Sequence, residues 1–222
     1  MGKNKRYIYN PFFVYPFLVW LVVGGYLLAN YSKEYLFSFV NSRHTPFLDD
    51  LMYGITHFGQ AETVIPLLLF LLVFPSFRNW WYVATALVCN LVPMFTQQGM
   101  KAWFDEPRPL KYFSDADWIH KLPHWPSLYH HSFPSGHTEG AFSFFCFLSL
   151  LLYPSHRPWA TLFFLLALLV GYSRMYLAAH FFADVYVGSM VGFVITTLCF
   201  LFMNEYLGKK VKWAKPLQHG IM

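Results

Sequence analysis

The sequence predicts an all-α, polytopic membrane protein with six transmembrane helices, both termini cytoplasmic and an active site at the outer face. Three observations predict it. The 222 residues are 56% hydrophobic and only 12% charged, where a soluble domain carries about a quarter charged residues. The apolar residues gather into six runs, near 11–30, 60–75, 80–100, 135–154, 158–174 and 184–204, and a membrane-crossing helix needs roughly 20 such residues. Threaded alternately through a bilayer, these runs place short basic loops on one side. Mean hydropathy is only +0.37 because aromatics make up 22% of the chain, and Trp and Tyr score poorly on that scale.

The run at 11–30 is too long for a cleaved leader and has no small-residue cleavage site, so it reads as an anchor. In 45–58, Thr45 is placed to cap a helix that has Pro46 at its first position. Leu48, Leu51, Met52 and Ile55 then form one apolar stripe, as in a helix lying on or leaning into the outer surface. The run at 60–75 is short for a span. With the N-terminus inside, Lys3, Lys5, Arg6, Arg78, Arg157, Lys209, Lys210, Lys212 and Lys215 are cytoplasmic, and Glu205 is the only acid beside them. Trp80, Trp81 and Trp159 fall at the inner interface and Trp103 at the outer one. Residues 105–133 form a long outer loop rich in Pro, His, Trp and Tyr, a length that goes with function or disorder. Trp118, Trp125 and Tyr129 read there as interfacial anchors. The basic tail, 206–222, reads as a membrane-surface anchor and not as a nucleic-acid site. No internal repeat is visible, and 1–222 reads as one domain. Cys89, Cys146 and Cys199 lie in apolar runs without metal-ligand spacing and read as inert buried thiols.

Ionisable groups stand at the outer ends of these runs, where they are costly and therefore informative. Lys101 ends the third run, with Arg108 just beyond it. His137 opens the fourth, Arg174 ends the fifth, and His180 and Asp184 open the sixth. Ends of odd runs and starts of even runs share one side of the membrane, so these residues can converge. Lys101, Arg108 and Arg174 suit a multiply charged anion. Ser135, Gly136 and His137 stand at a helix start, where free N–H groups cradle oxyanions. His180 and Asp184, spaced i,i+4, share a face, and the carboxylate fixes the imidazole tautomer so that its other nitrogen can attack. His137 is then available as an acid toward the leaving oxygen. The set reads as phosphoryl transfer through a histidine, without a metal. Glu139 reads as a helix-start carboxylate. His130 and His131 are placed to line a substrate entrance, although loop histidines are more often simply solvated; His57, His120 and His124 carry weaker signals.

"KAWFDEPRP", "PSGH" and "SRMYLAAHFFAD" occur in that order. The chain thereby resembles the type 2 phosphatidic acid phosphatase superfamily across its whole length, with no departure at the signature positions. The resemblance implies that His180 is a nucleophile forming a phosphohistidine, that Asp184 orients it, and that His137 protonates the leaving group and then activates water. It implies phosphate-binding roles for Lys101, Arg108, Ser135, Gly136 and Arg174, and that no cofactor is needed. The implied substrate is a lipid phosphate in the bilayer: lipid A, undecaprenyl diphosphate, phosphatidylglycerophosphate or phosphatidic acid. The aromatic, His-rich outer loop leans toward the first two. The implied location is the inner membrane of a cell, with the site on the periplasmic face. A phosphotransferase using the same intermediate is the alternative enzyme. A non-enzymatic anion or lipid transporter fits less well, because the charges cluster at span ends and no repeat is present.

Overall fold

The structure, a computed structural model, describes residues 9–114, 116–208 and 210. Lys3, Lys5, Arg6, Asp115, Lys209, Lys212 and Lys215, and with them nearly all of the basic tail, lie outside the described residues. Among the described residues every regular element is helical: α1 (Pro11–Asn30), α2 (Lys33–Asn41), α3 (Pro46–Thr56), α4 (Ala61–Phe70), α5 (Trp80–Phe104), α6 (Pro109–Tyr112), α7 (Gly136–Leu151), α8 (Trp159–Tyr176) and α9 (Phe182–Leu201). Short 3-10 turns extend α3 and α4, and a π-turn extends α9 to Leu207.

Asn10 starts α1. Its side-chain oxygen accepts from the N–H of Phe12 at 3.1 Å, and its amide donates to the carbonyl of Ser149 at 3.0 Å, which ties α1 to the end of α7. Phe13 and Phe17 are buried against Phe142 and Phe193. On the opposite face Val19 and Val22 are 62% and 73% exposed. An apolar face of this length is a liability in water and suits lipid. α1, α8 and α9 with its extension are long and apolar enough to cross a membrane. α3 and α4 pass the same test only as a pair, bent by 61° at Gln60.

Thr45 caps α3 as its sequence predicts, accepting from the N–H of Leu48 at 3.2 Å. The apolar stripe is narrower than predicted. Met52 is buried, with Leu48 and Ile55 packed on the same cluster, but Leu51 faces outward. That cluster includes Met175 and Tyr176 of α8, and the Tyr176 hydroxyl donates to Asp49, so α3 is docked on protein. α2 was not legible in the sequence. It has only nine residues, is capped by Ser32 and buries Leu36, Phe37 and Val40 on one side.

α7 is the central helix, with α5, α8 and α9 packed around it. Nearly every side chain from Thr138 to Leu151 is buried. A helix enclosed by protein tolerates the polar start that lipid would penalise. α9 approaches it closely because Gly188 and Gly192 have no side chain: a Cβ there would stand 2.6 Å from the carbonyl oxygen of Ser135 and 2.5 Å from that of Glu139. Thr196 of α9 donates to the carbonyl of Cys89 in α5 at 2.8 Å. Cys89 and Cys146 are buried and Cys199 partly so, all as free thiols.

The outer loop is ordered by backbone pairing. Arg108 N–H donates to the carbonyl of Tyr129 at 2.9 Å, and Ser132 N–H to that of Glu106 at 2.9 Å. Asn41 clamps the loop to α8. Its amide donates to the carbonyls of His120 and Tyr176 at 2.9 and 2.8 Å, and its oxygen accepts from His120 N–H at 2.9 Å. The His120 ring, 2.7 Å from Asp49 and stacked on His44, belongs to this structural clamp.

Candidate active site

Four interruptions of the helical pattern meet at one end of the bundle: the bend at Gln60, the loop after α5, the start of α7 and the α8–α9 connection. The last of these carries His180. α8 ends at Tyr176, Ala178 takes a left-handed conformation (φ 52°), and the carbonyl of Arg174 accepts from the N–H groups of Ala179 and His180 at 3.0 and 3.2 Å. The chain thus turns back on itself and holds His180 inside, 1% exposed.

Asp184 is the third residue of α9. Its Oδ2 accepts from the N–H of Phe181 at 2.9 Å and from the Ser132 hydroxyl, and lies 3.3 Å from His180 Nδ1. The pairing predicted from the spacing is present, but its cause differs. His180 precedes the helix, so no helix face is shared. Asp184 meets it because a first-turn carboxylate reaches back to the free N–H at the helix start. On the other side of the ring, Arg108 Nη1 is 3.3 Å from Nε2. Arginine only donates, so Nε2 carries the lone pair and the proton sits on Nδ1, toward Asp184. Burial, then the cations Arg108, Arg174 and Lys101, hold the His180 pKa well below the usual 6.5.

Arg108 is itself held by carbonyls: Nε on His130 at 2.7 Å, Nη1 on Ala179 at 3.0 Å and Nη2 on His131 at 3.3 Å. His130 and His131 therefore serve this site through their backbones. Their rings look elsewhere, to Lys111 at 3.3 Å and to the exposed Asp105 at 2.9 Å.

Arg174 is 0% exposed. Its Nη1 donates to Thr56 Oγ1 at 2.6 Å, and its guanidinium lies 5.0 Å from the Trp125 ring centroid. Nε and Nη2 have no partner, and neither do the buried Trp125 Nε1 and His57 Nδ1. A buried guanidinium with two unused N–H groups is a costly arrangement that an anion relieves. Trp125 is thus turned inward over a cation. Lys101, in the last turn of α5, is close enough to act electrostatically on Arg108, Arg174, Asp184 and Glu139.

At the start of α7 the structure corrects one prediction. Ser135 is the cap: its N–H donates to the Asp184 carbonyl at 3.0 Å, and its Oγ accepts from the Thr138 hydroxyl at 2.9 Å and the Thr138 N–H at 3.4 Å. The Ser135 N–H is therefore not free for a phosphate, whereas its hydroxyl only accepts in these contacts and keeps its own proton to donate. The N–H groups of Gly136 and His137, which have no intrahelical acceptor, are the ones left for an anion. His137 Nε2 lies 3.0 Å from Gln60 Nε2. Glu139 is not a solvent-side helix-start carboxylate; it is 2% exposed and accepts from the Ser143 hydroxyl at 2.8 Å.

His180, Asp184 and Arg108 are therefore in direct contact, and Arg174, Lys101 and His137 share one charge cluster with them. Ser132, Thr56, Gln60 and the Trp125 N–H escaped sequence reading. Ser132 lies two residues before the PSGH motif, and the other three have no spacing that links them to it. Among the described residues no three His, Cys, Asp or Glu side chains group so as to hold a metal ion.

A groove of about 340 Å³ opens between α4 and α5. Leu68, Leu72, Leu91 and Met94 line its apolar length, and Gln60, Gly136 and Glu139 stand at its polar end.

Fold and site together define an all-α membrane protein with a buried histidine–aspartate pair beside the cations Arg108, Arg174 and Lys101. The chain belongs to the PAP2 superfamily, whose model matches residues 78–207. It is 28% identical over 175 residues to phosphatidylglycerophosphatase B of Bacillus subtilis strain 168, covering 75% of this chain and 78% of that protein. It is 28% identical over 164 residues to the undecaprenyl-diphosphatase BcrC of the same strain, covering 73% and 79%. The crystal structure of Aquifex aeolicus LpxE superposes with a TM-score of 0.64 at 26% identity, covering 78% of this chain and 97% of that one.

Proposed function

We propose that this protein is a membrane lipid phosphatase that hydrolyses a phosphate monoester or diphosphate of an amphiphilic envelope lipid through a phosphohistidine on His180. The observation that carries this reading is the His180 environment: a buried neutral imidazole with Asp184 at Nδ1 and a guanidinium at Nε2. His180 Nε2 attacks phosphorus while the bond to the leaving oxygen breaks; His137 gives that oxygen a proton, then takes one from the water that cleaves the N–P bond. Asp184 balances the charge on the phosphorylated ring. Arg108, Arg174, Lys101 and the N–H groups of Gly136 and His137 hold the phosphate oxygens. The family resemblance implies that no metal is required, and the cationic lining disfavours a divalent ion.

The apolar groove supports a substrate with acyl or prenyl chains, since its polar end is formed by Gln60, Gly136 and Glu139, beside His137, and its apolar length follows α4 and α5. The matched relatives act, by their names, on phosphatidylglycerophosphate and undecaprenyl diphosphate, and these lead the candidates here. Lipid A and phosphatidic acid complete them. In this reading α1, the bent α3–α4 pair, α5, α7, α8 and α9 make six crossings of a single domain, 1–222. Both termini are cytoplasmic, the tail is a membrane-surface anchor, and the site faces the periplasm from the inner membrane. α7, about 24 Å long by its rise, is short for a span, but its neighbours enclose it.

The test is phosphate release by the purified protein from a panel of lipid phosphates, with the lipid product identified by mass. Acid-quenched, radiolabelled enzyme should carry its phosphoryl group on His180 and not on His137, and vanadate should inhibit. Label on another residue contradicts the mechanism. Transfer to an added lipid or sugar hydroxyl with no free phosphate points to the phosphotransferase. Arg174→Lys keeps the charge but loses the fork, so kcat/KM should fall about 100-fold; a change under about threefold removes Arg174 from phosphate binding.

A further inference from the structure

We infer that Gln60 is a positioning residue for His137, fixing which imidazole nitrogen faces the substrate; this rests on the acid–base role proposed for His137. The two side chains meet at 3.0 Å through Gln60 Nε2 and His137 Nε2. The contact exists because α3 and α4 break at Gln60, where the chain bends by 61°. The break is pressed onto the first turn of α7. A Cβ on Gly59 would stand 2.3 Å from the His137 carbonyl oxygen, and one on Gly140 2.9 Å from the Gly59 carbonyl oxygen. Gln60 heads α4 but makes no side-chain cap with it, which leaves its carboxamide free for His137.

A carboxamide is suited to this partner because it carries both a donor and an acceptor. With His137 neutral, the Gln60 N–H group donates to Nε2 and the ring proton sits on Nδ1. With His137 protonated, a half-turn of the amide presents its oxygen to Nε2–H. In both states Nε2 is occupied, and Nδ1 is the atom committed to proton transfer. In the first half-reaction the protonated ring gives its Nδ1 proton to the leaving oxygen as the His180–phosphorus bond forms, and it keeps Nε2–H on the Gln60 oxygen, which leaves the lone pair on Nδ1. In the second, the Nδ1 lone pair takes a proton from the attacking water. Gln60 never touches the reacting atoms. Arg174 of α8, Lys101 of α5, Arg108 from the outer loop and His180 from the α8–α9 connection all face His137, and Glu139 follows it on α7. The charges that act on His137 from facing elements are the cations Arg174, Lys101 and Arg108, while the Asp184 carboxylate of α9 is turned to Phe181 N–H, Ser132 and His180, so a neutral partner at Nε2 leaves the protonated state without local support. A carboxylate there would supply it.

Gln60→Ala should lower kcat about tenfold or more while KM changes less than about threefold. Gln60→Glu should move the alkaline limb of kcat/KM, where the general acid loses its proton, upward by about one pH unit. The same shift should appear without substrate, in the His137 titration followed by NMR of ring-labelled histidine in the detergent-solubilised protein. An unmoved His137 titration in Gln60→Glu, or a kcat within about twofold of wild type in Gln60→Ala, overturns the inference. The two readings fail separately. Absence of phosphohistidine on His180 defeats the proposed mechanism, whereas a labelled His180 with an unshifted His137 defeats only the role of Gln60.

Discussion

His180→Ala is expected to lower kcat for lipid phosphate hydrolysis by roughly 10⁴-fold or more, because it removes the atom that carries the intermediate. The protein should remain folded, since the change leaves Asp184 its two other donors, Phe181 N–H and the Ser132 hydroxyl. Those same donors set the expectation for Asp184→Asn. They converge on Oδ2, so an amide introduced there places its oxygen on them and its NH2 away. The oxygen still accepts from His180 Nδ1–H, the tautomer survives, and only the negative charge is lost. The expected fall in kcat is about 100-fold with KM little changed, against a larger loss for Asp184→Ala, which also strips the tautomer of its acceptor. Equal losses for Asn and Ala would show that charge alone matters. The pH profile carries a related expectation. With its pKa held below 6.5, His180 stays neutral and able to attack as pH falls through 6.5. The acid limb of kcat/KM should therefore lie below pH 6.5. An acid limb at or above 6.5 that vanishes in no other variant would contradict the burial seen here.

The parts legible in the sequence were those governed by local pattern. The run that became α1 matched its helix residue for residue because an apolar stretch with Asn10 before it and Pro11 as its first residue carries its own start signal. Thr45 announced α3 for the same reason. The candidate-site residues Lys101, Arg108, His137, Arg174, His180 and Asp184 stood out because they sit at run ends, where charge has no structural excuse. What stayed hidden depends on distance through space. Ser135 was assigned its backbone N–H as a phosphate donor, but the packing of α9 on α7 places the Asp184 carbonyl on that group first. Thr56 and Gln60 sit in a segment that reads as a surface helix and a short run; only the 61° bend brings both to the site. Trp125 reads as an interfacial aromatic because nothing local says that a buried guanidinium lies beneath it.

The bend can be tested through Gly59. A methyl group there would fall 2.3 Å from the His137 carbonyl oxygen and 2.9 Å from its carbon, both backbone atoms of the most buried helix. Side-chain rotation cannot relieve such a clash, so α7 or the α3–α4 break must move. Gly59→Ala is therefore expected to cost about 1–3 kcal/mol of stability, read as a drop of several degrees in Tm. Its larger effect should be on turnover. Any displacement of the break carries Gln60 away from His137 and Thr56 away from Arg174, and a shift of about 1 Å at a reacting centre is worth about 100-fold in rate. Gly54→Ala in α3 is the control, because nothing lies within 4 Å of a Cβ at that position. There alanine should leave turnover unchanged and raise helix stability by up to about 1 kcal/mol. If Gly59→Ala behaved like Gly54→Ala in both Tm and kcat, the break would not be pressed against α7 in the working protein. The contacts that Gln60 and Thr56 make would then not be part of the site.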